Sequence, residues 1–243
     1  MIKRIIFKDI KFFNISTKDF SKYIVKKGLF IFPAGPALAS IDDSSKYYET
    51  IKKADYVFFD SGFFVLLLKL IKNISVSKFS GYKFLNLFFD HLKKNKKKIV
   101  FCVDPNPKFS RSNKYLLKSF GVKRVYSYLA PKYNINDISD KKLLKKIKKI
   151  KPDFILTNIG GGIQEILGLY LKKNLKLKST ILCTGAAISF FTKDQAPINI
   201  LIDQLYLGWF VRLIFNPYIF FKRYLRTLKL VPMVIYNKIT IIN

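Results

Sequence analysis

The stretch that most constrains this chain is residues 153–171, DFILTNIGGGIQEILGLYL, in which an apolar run, three glycines and an amphipathic pattern follow one another. Residues 154–159 have the composition of a buried strand, and Gly160, Gly161 and Gly162 allow backbone angles and close approaches that a Cβ would prevent. Apolar residues then recur at helical spacing up to position 171. The sequence therefore predicts a strand, a glycine turn and the start of a helix.

A helix that begins at the glycine turn directs backbone N–H groups and the positive end of its dipole at the space over the turn. This arrangement suits a diphosphate, and Gln164 and Glu165 fall in the first helical turn. A tight strand-to-helix connection without a ligand is the alternative, because a glycine run is a weak signal for phosphate binding. The residues alone leave both interpretations open.

Strand-like and helix-like segments alternate along the chain, beginning with one predicted strand over residues 5–13. This alternation predicts the α/β class, with a Rossmann-like, mainly parallel sheet. Beyond Pro197 the sequence changes to a long aromatic and basic segment. We therefore predict an α/β domain that holds the site over residues 1–197 and a helical C-terminal appendage over residues 198–243.

The formal net charge of +30 would ordinarily favour nucleic acid as a partner. Nearly all of this charge is lysine, with six arginines, and the aromatic residues are mostly phenylalanines inside apolar runs. These rings do not alternate with basic residues as they would in a base-stacking surface, so we predict no nucleic-acid partner. A basic nucleic-acid-binding protein is kept as the alternative.

Asp60 is the acidic residue that most favours a catalytic role, because it ends the predicted strand 54–60 and precedes an apolar helix. Burial there would raise its pKa, which suits a general base near neutral pH. Capping of the following helix is the alternative. A turn of small residues at Gly185 follows the predicted strand 179–183 and lets a ligand approach the backbone. His91, the single histidine, falls near a lysine-rich helix end and is predicted to lie on the surface.

Several familiar kinds of site are absent from the sequence. It contains no G-x-S-x-G, H-E-x-x-H, Walker A, C-x-x-C or metal-holding D-x-D motif, and Cys102 and Cys183 lie in apolar runs without metal-like spacing. We therefore predict no metal and no cofactor, and the remaining residues suit transfer of a group from a diphosphate donor. Neither a signal peptide nor an apolar stretch of about 20 residues is found, so we expect a soluble or peripheral protein.

Five segments, in this order and spacing, resemble the WecG/TagA/CpsF glycosyltransferase family. They are ADYVFFDSGFFVLLLKLI, SGYKFLNLF, NIGGGIQEILGLYL, CTGAAISFF and LGWFVRLIFNPYIFFKRYL, within residues 10–225. The resemblance implies metal-independent, inverting transfer of N-acetylmannosamine or another hexose from a UDP-type nucleotide-sugar donor. The implied acceptor is a polyprenyl-diphosphate-linked or other glycan of cell-envelope polysaccharide synthesis. An oligomer is left open.

The resemblance also assigns roles to individual residues. Asp60 matches the family's catalytic aspartate, the base for the acceptor hydroxyl, and Gln164 matches the glutamine of its G-x-P-K-Q-E loop at the sugar-nucleotide site. Arg212 and Arg223 match arginines of a C-terminal segment that closes over the site. The predicted catalytic residues are therefore Asp60 and Gln164, and the predicted substrate-binding residues are Lys78, Gly160, Gly161, Gly162, Glu165, Gly185, Arg212 and Arg223.

The sequence departs from the family pattern at several positions. Phe32 replaces a threonine, Ile163 replaces the lysine before Gln164, and Asp104 falls where a glycine pair is usual. A non-catalytic relative that has lost donor contacts is therefore a second alternative. Retention of Asp60 and Gln164 favours the enzyme.

The appendage mixes tyrosine, tryptophan and phenylalanine with arginine and lysine. Aromatic rings with one polar end favour a membrane interface, and cations bind anionic lipid. Together with the resemblance, this composition predicts a cytoplasmic protein held peripherally on the anionic inner face of the cell membrane. A helical cap that buries these aromatic rings in the core is the alternative.

Overall fold

The computed structural model describes residues 3–175, 179–192, 194, 199–204 and 206–243. In these ranges nine strands form one sheet. In chain order the strands are β1 (Arg4–Phe7), β2 (Ile10–Phe13), β3 (Gly28–Ile31), β4 (Tyr56–Phe58), β5 (Ile99–Asp104), β6 (Arg124–Leu129), β7 (Phe154–Thr157), β8 (Thr180–Cys183) and β9 (Ile239–Ile242).

The sheet has the strand order β6-β5-β7-β8-β3-β4-β2-β1-β9. Strands β2 to β8 are parallel to their neighbours in that group, whereas β1 is antiparallel to both β2 and β9. The predicted mainly parallel α/β sheet is therefore confirmed. The chain passes from β5 to β6 on one side of the sheet and from β7 to β8 on the other, so the direction of the connections reverses between β5 and β7. Such reversals open crevices at the carboxyl ends of parallel strands, where α/β proteins bind ligands.

Helices cover both faces of the sheet and part of its carboxyl edge. Short polar residues begin several of them, because their side chains accept a hydrogen bond from an otherwise unpaired backbone N–H, as Ser44, Asn106 and Asp140 do. The helices are α1 (Phe20–Ile24), α2 (Gly35–Leu38), α3 (Ser45–Lys52), α4 (Gly62–Lys72), α5 (Gly81–Lys94), α6 (Pro107–Ser119), α7 (Lys141–Ile150), α8 (Ile163–Asn174), α9 (Ile188–Phe191), α10 (Ile200–Gln204), α11 (Gly208–Phe215), α12 (Pro217–Thr227) and α13 (Leu230–Tyr236).

The core has two layers, one on each face of the sheet. Helices α3, α4, α7, α8 and α13 contribute to one layer, and α1, α5, α6 and α9 contribute to the other. Every residue of β7 is buried, as expected for a parallel strand that is covered on both faces. The second layer is built largely from phenylalanine rings, so many of the aromatic residues in apolar runs serve packing.

The first predicted strand is wrong in one respect, because residues 5–13 form a hairpin of two strands. Lys8 and Asp9 adopt the left-handed conformation, with φ of 47° and 57°, and turn the chain between β1 and β2. Two polar residues between apolar ones are also common inside a single strand, so the sequence pattern does not reveal this turn. Strand β9 was not predicted.

The C-terminal region contains two structurally different parts. Helix α13 contributes Leu230 and Val234 to the core, both fully buried, and β9 pairs with β1. Helices α10, α11 and α12 instead lie over the carboxyl edge, where α12 packs against α2. Pro197, the predicted boundary, lies outside the described residues, and the division into 1–197 and 198–243 stays a prediction.

Candidate active site

Asp60 lies at the carboxyl edge of the sheet, two residues after β4, and is partly buried. Its Oδ1 atom accepts a hydrogen bond of 2.8 Å from the backbone N–H of Gly81, the first residue of α5. Ser61, and not Asp60, caps the following helix α4, because its Oγ accepts from the N–H of Phe64 at 3.2 Å. The carboxylate of Asp60 is thus held at the start of a different helix, facing the edge of the sheet.

The surroundings of Asp60 favour a proton acceptor. Burial raises its pKa above the ordinary aspartate value, and the hydrogen bond from Gly81 and the charges of Lys78 and Arg212 reverse this only in part. Gly81 itself cannot carry a side chain without crowding, since a Cβ there would lie 3.2 Å from the carbonyl oxygen of Thr184. The loops after β4 and β8 therefore meet at the start of α5.

The glycine turn after β7 is joined to the turn after β8 by Gln164. The Oε1 atom of Gln164 accepts from the N–H of Gly185 at 2.9 Å, and its Nε2 donates to Glu165 at 2.8 Å. Glu165 in turn accepts from the N–H of Gly162 at 2.6 Å and closes the first turn of α8. Gln164 and Glu165 are both buried, so these contacts fix the two turns relative to each other.

The three glycines of this turn differ in backbone conformation and in the space around them. Gly162 has φ of +90°, which favours glycine, whereas a Cβ at Gly160 or Gly161 would have no other atom within 4 Å. Packing therefore does not require glycine at the first two positions, which are exposed in front of α8. Open space there is available to a ligand that approaches the backbone.

Glu165 brings a second carboxyl group into the neighbourhood of Asp60. Burial, with a smaller contribution from the charge of Asp60, raises the pKa of Glu165 to about 7, against the opposing hydrogen bonds from Gln164 and Gly162. Burial, and to a smaller extent the charge of Glu165, raises the pKa of the Tyr47 hydroxyl. This part of the edge therefore disfavours the charged forms of Glu165 and Tyr47.

Lys78 does not project freely towards the edge. Its Nζ lies 2.6 Å from Oδ1 of Asp203, in α10, and 2.7 Å from the carbonyl oxygen of the same residue. The other carboxylate oxygen of Asp203 accepts from Ser80 Oγ at 2.8 Å. The predicted substrate-binding lysine is thus already paired with an acidic residue of the C-terminal region.

The two predicted arginines have different surroundings. Arg212 is partly buried, its guanidinium lies 4.8 Å from the ring centre of Phe190, and its charge acts on Asp60. Its Nε has no hydrogen-bond partner within the described residues. Arg223 is exposed, with its guanidinium 5.5 Å from the ring centre of Phe220. The structure therefore brings Arg212, more than Arg223, to the aspartate.

The departures from the family pattern are explained by packing in two cases. Phe32 is buried and stacks on Phe58 with ring centres 5.0 Å apart, so this position belongs to the core. Asp104 is fully buried at the end of β5, where it accepts from Asn113 and Asn158, each at 2.8 Å. Burial raises its pKa. Ile163 is the first residue of α8.

Sequence reasoning missed three residues that shape this site, Ser80, Asp203 and Thr184. Ser80 carried a readable signal, because a serine directly before an amphipathic segment is typical of a helix cap. Asp203 and Thr184 carried none, since each contacts residues far away in the chain. Within the described ranges no three His, Cys, Asp or Glu side chains are grouped as they would be to hold a metal ion.

Comparison with models of protein families identifies the family of this chain. The sequence model of the "Glycosyl transferase WecG/TagA/CpsF family" matches residues 5–241 of the 243 in the chain. None of the curated proteins compared with the chain matches it significantly. The matched range includes Asp60, the glycine turn and the helices over the carboxyl edge.

Proposed function

The chain belongs to the WecG/TagA/CpsF family of glycosyltransferases, and from this membership we propose that it moves N-acetylmannosamine or a similar hexose from a UDP-sugar to a lipid-linked glycan. The family acts in cell-envelope polysaccharide synthesis, with a nucleotide-sugar donor and a glycan acceptor. We propose a polyprenyl diphosphate as the lipid carrier of that acceptor.

The observation that carries this proposal is the carboxylate of Asp60, which is held by Gly81 at the carboxyl edge and has a raised pKa. In the proposed step Asp60 takes the proton of an acceptor hydroxyl while the hydroxyl oxygen attacks the anomeric carbon of the donor. The bond from that carbon to the diphosphate breaks, and the nucleoside diphosphate leaves with the electron pair. A single displacement of this kind inverts the anomeric centre.

The leaving diphosphate needs positive charge as the bond breaks. The start of α8, with its exposed Gly160 and Gly161, supplies backbone N–H groups and the positive end of a helix dipole. Arg212 supplies a full charge near Asp60. Preorganised groups of this kind usually contribute more to catalysis than any other effect, because they meet charge where it develops. In this proposal Gln164 fixes the glycine turn and the Gly185 turn relative to each other, and both turns hold the donor.

The test of donor binding is a thermal-shift screen of UDP-sugars against the full-length protein. A donor present at 100 times its dissociation constant should stabilise the native state by about 2.7 kcal/mol, which raises the melting temperature measurably. UDP alone should give part of the shift, and free sugars none. A donor that binds but is never transferred to any acceptor would favour the non-catalytic relative instead.

Transfer should not require a divalent metal. Arg212 and the start of α8 are proposed to offset the charge of the diphosphate, so activity should survive EDTA at millimolar concentration. The measurement is the initial rate of transfer before and after chelation, with magnesium or manganese added back. A rate that is lost with EDTA and restored by either metal would show that a metal, and not these groups, holds the diphosphate.

Membrane association is the remaining part of the proposal. Helix α11 has no buried residue, and Thr227 is the one buried residue of α12. The exposed apolar side chains on these two helices form what we call the α11–α12 surface. Within the described ranges no helix is long and apolar enough to cross a bilayer. This surface supports peripheral attachment at the inner face, close to a lipid-linked acceptor. It comprises Trp209, Phe210, Ile214, Phe215, Tyr218, Ile219, Phe221 and Leu225, beside Lys222, Arg223 and Arg226.

A further inference from the structure

One ion pair joins the α/β core to the helices over its carboxyl edge. Lys78 Nζ and Asp203 Oδ1 are 2.6 Å apart, and the two side chains are only 12% and 14% exposed. Asp203 also receives hydrogen bonds on its second carboxylate oxygen, from Ser80, and on its carbonyl oxygen, from Lys78. Asp203 therefore pairs with both Lys78 and Ser80, whose side chains lie just before α5.

The neighbouring contacts reinforce the same attachment. Tyr206 lies three residues after Asp203, and its ring centre is 5.1 Å from Lys78 Nζ. Its ring also rests on Gly62, where an added Cβ would collide with it. Tyr206 has φ of 62°, so the chain turns sharply there, immediately before α11. Asp203 and Tyr206 together determine where α11 starts.

The attachment lies directly beside the proposed base. Ser80 caps α5, and the next residue, Gly81, donates to Asp60. The charges of Lys78, Arg212 and Asp203 all act on the pKa of Asp60. Arg212 is carried by α11, and the described contacts of α11 are mainly with α12. Helix α11 is therefore held at both ends, by α12, which packs against α2, and by α10 through the contacts of Asp203.

We propose that Asp203 is a positioning residue of the transfer reaction, which acts through its ion pair with Lys78. It holds α10 and the start of α11 against the edge of the sheet and so places Arg212 beside Asp60. The inference rests on the proposed function, because it needs Asp60 as the base. Breaking a buried pair leaves an uncompensated charge, so loss of Asp203 should release α10 and the start of α11, while α12 stays packed against α2. Helix α13 and β9 would stay in the core, and the melting temperature should change little.

The test compares Asp203→Asn with the conservative variant Asp203→Glu in the full-length protein. Trp209, the single tryptophan, lies in α11 and reports docking through acrylamide quenching. Trypsin cleavage after Arg212, which is partly buried in the same helix, reports it independently. Asp203→Asn should be cleaved about tenfold faster and should lose about tenfold in kcat, whereas Asp203→Glu should restore both. Asp43→Asn, which removes the exposed pair between Asp43 and Lys229, should match the wild type.

Two results would overturn the proposal. Quenching and cleavage of Asp203→Asn at wild-type rates would show that the ion pair does not hold α10 and α11. Release of these helices with kcat unchanged would show that their position is irrelevant to the reaction. The double variant Lys78→Asp, Asp203→Lys should recover docking, because it rebuilds the pair with reversed charges. Failure of the proposed function itself would look different, since the wild type would then transfer no sugar while the docking measurements still gave these results.

Discussion

Replacement of Asp60 by asparagine should lower the rate of sugar transfer by about 10² to 10⁴-fold while the protein keeps its fold. Asparagine has nearly the same shape and retains an oxygen that can accept from the N–H of Gly81, so the start of α5 should stay in place. It cannot take a proton from the acceptor hydroxyl near neutral pH. The expected loss is therefore in kcat, with donor affinity and melting temperature close to those of the wild type.

A matched control for this variant is Asp55→Asn. Asp55 also accepts from a backbone N–H, that of Leu29 at 2.8 Å, and it lies just before β4, at the amino end of the strand that Asp60 follows. The Asp55→Asn variant removes one carboxylate far from the proposed chemistry and should leave kcat unchanged. Wild-type turnover in Asp60→Asn would remove this residue from the mechanism.

The pH profile gives a second measure of the same residue. A general base works only when deprotonated, and burial raises the pKa of Asp60 above the ordinary aspartate value of about 3.9. The rate should therefore fall as the pH is lowered through a pKa above that value. The residual activity of Asp60→Asn should lack this acidic limb. An acidic limb that persists in the variant would assign it to another group, and Glu165, with a pKa of about 7, is the nearest candidate.

The elements that could be predicted from sequence are those whose signal is local. Helix α7 (Lys141–Ile150) has the sequence KKLLKKIKKI, in which apolar residues recur at helical spacing, and Leu143 and Ile147 are fully buried while the lysines are exposed. The glycine turn and α8 follow from the same kind of pattern. Strand β9 could not be found in this way, because three isoleucines and a threonine fit a strand, a helix end or a loop equally well.

The candidate site divides along the same line. Asp60 and Gly185 could be picked out because each follows a strand, and the carboxyl ends of parallel strands meet at one edge. The partner of Lys78 could not, since Asp203 is 125 positions away and no periodic pattern links residues at that distance. The sequence is also compatible with Asp60 as the cap of α4. The structure shows that the adjacent Ser61 caps this helix instead.

Removal of three positive charges from α12 should weaken binding to anionic vesicles by about a hundredfold. Lys222, Arg223 and Arg226 are exposed and lie within one helical turn of one another, beside the aromatic rings of the α11–α12 surface. Each cation near anionic lipid contributes about 1 kcal/mol, so conversion of all three to glutamine should cost about 3 kcal/mol. The measurement is sedimentation with vesicles of mixed neutral and anionic phospholipid at two salt concentrations. Binding of the wild type should weaken with salt, because ions shorten the reach of surface charges.

The control must separate this surface from the net charge of +30, which alone attracts the protein to an anionic membrane. Lys142, Lys145 and Lys149 are exposed on α7, and their conversion to glutamine removes the same number of charges from a different helix. If the α11–α12 surface makes the contact, this second triple variant should bind almost as the wild type does. Equal losses in the two variants would mean that the membrane senses total charge, and the exposed rings of α11 and α12 would then need another explanation. Replacement of Trp209 and Phe210 by serine adds an independent measure, since it leaves the charge unchanged and should still reduce binding by withdrawing apolar area from the interface.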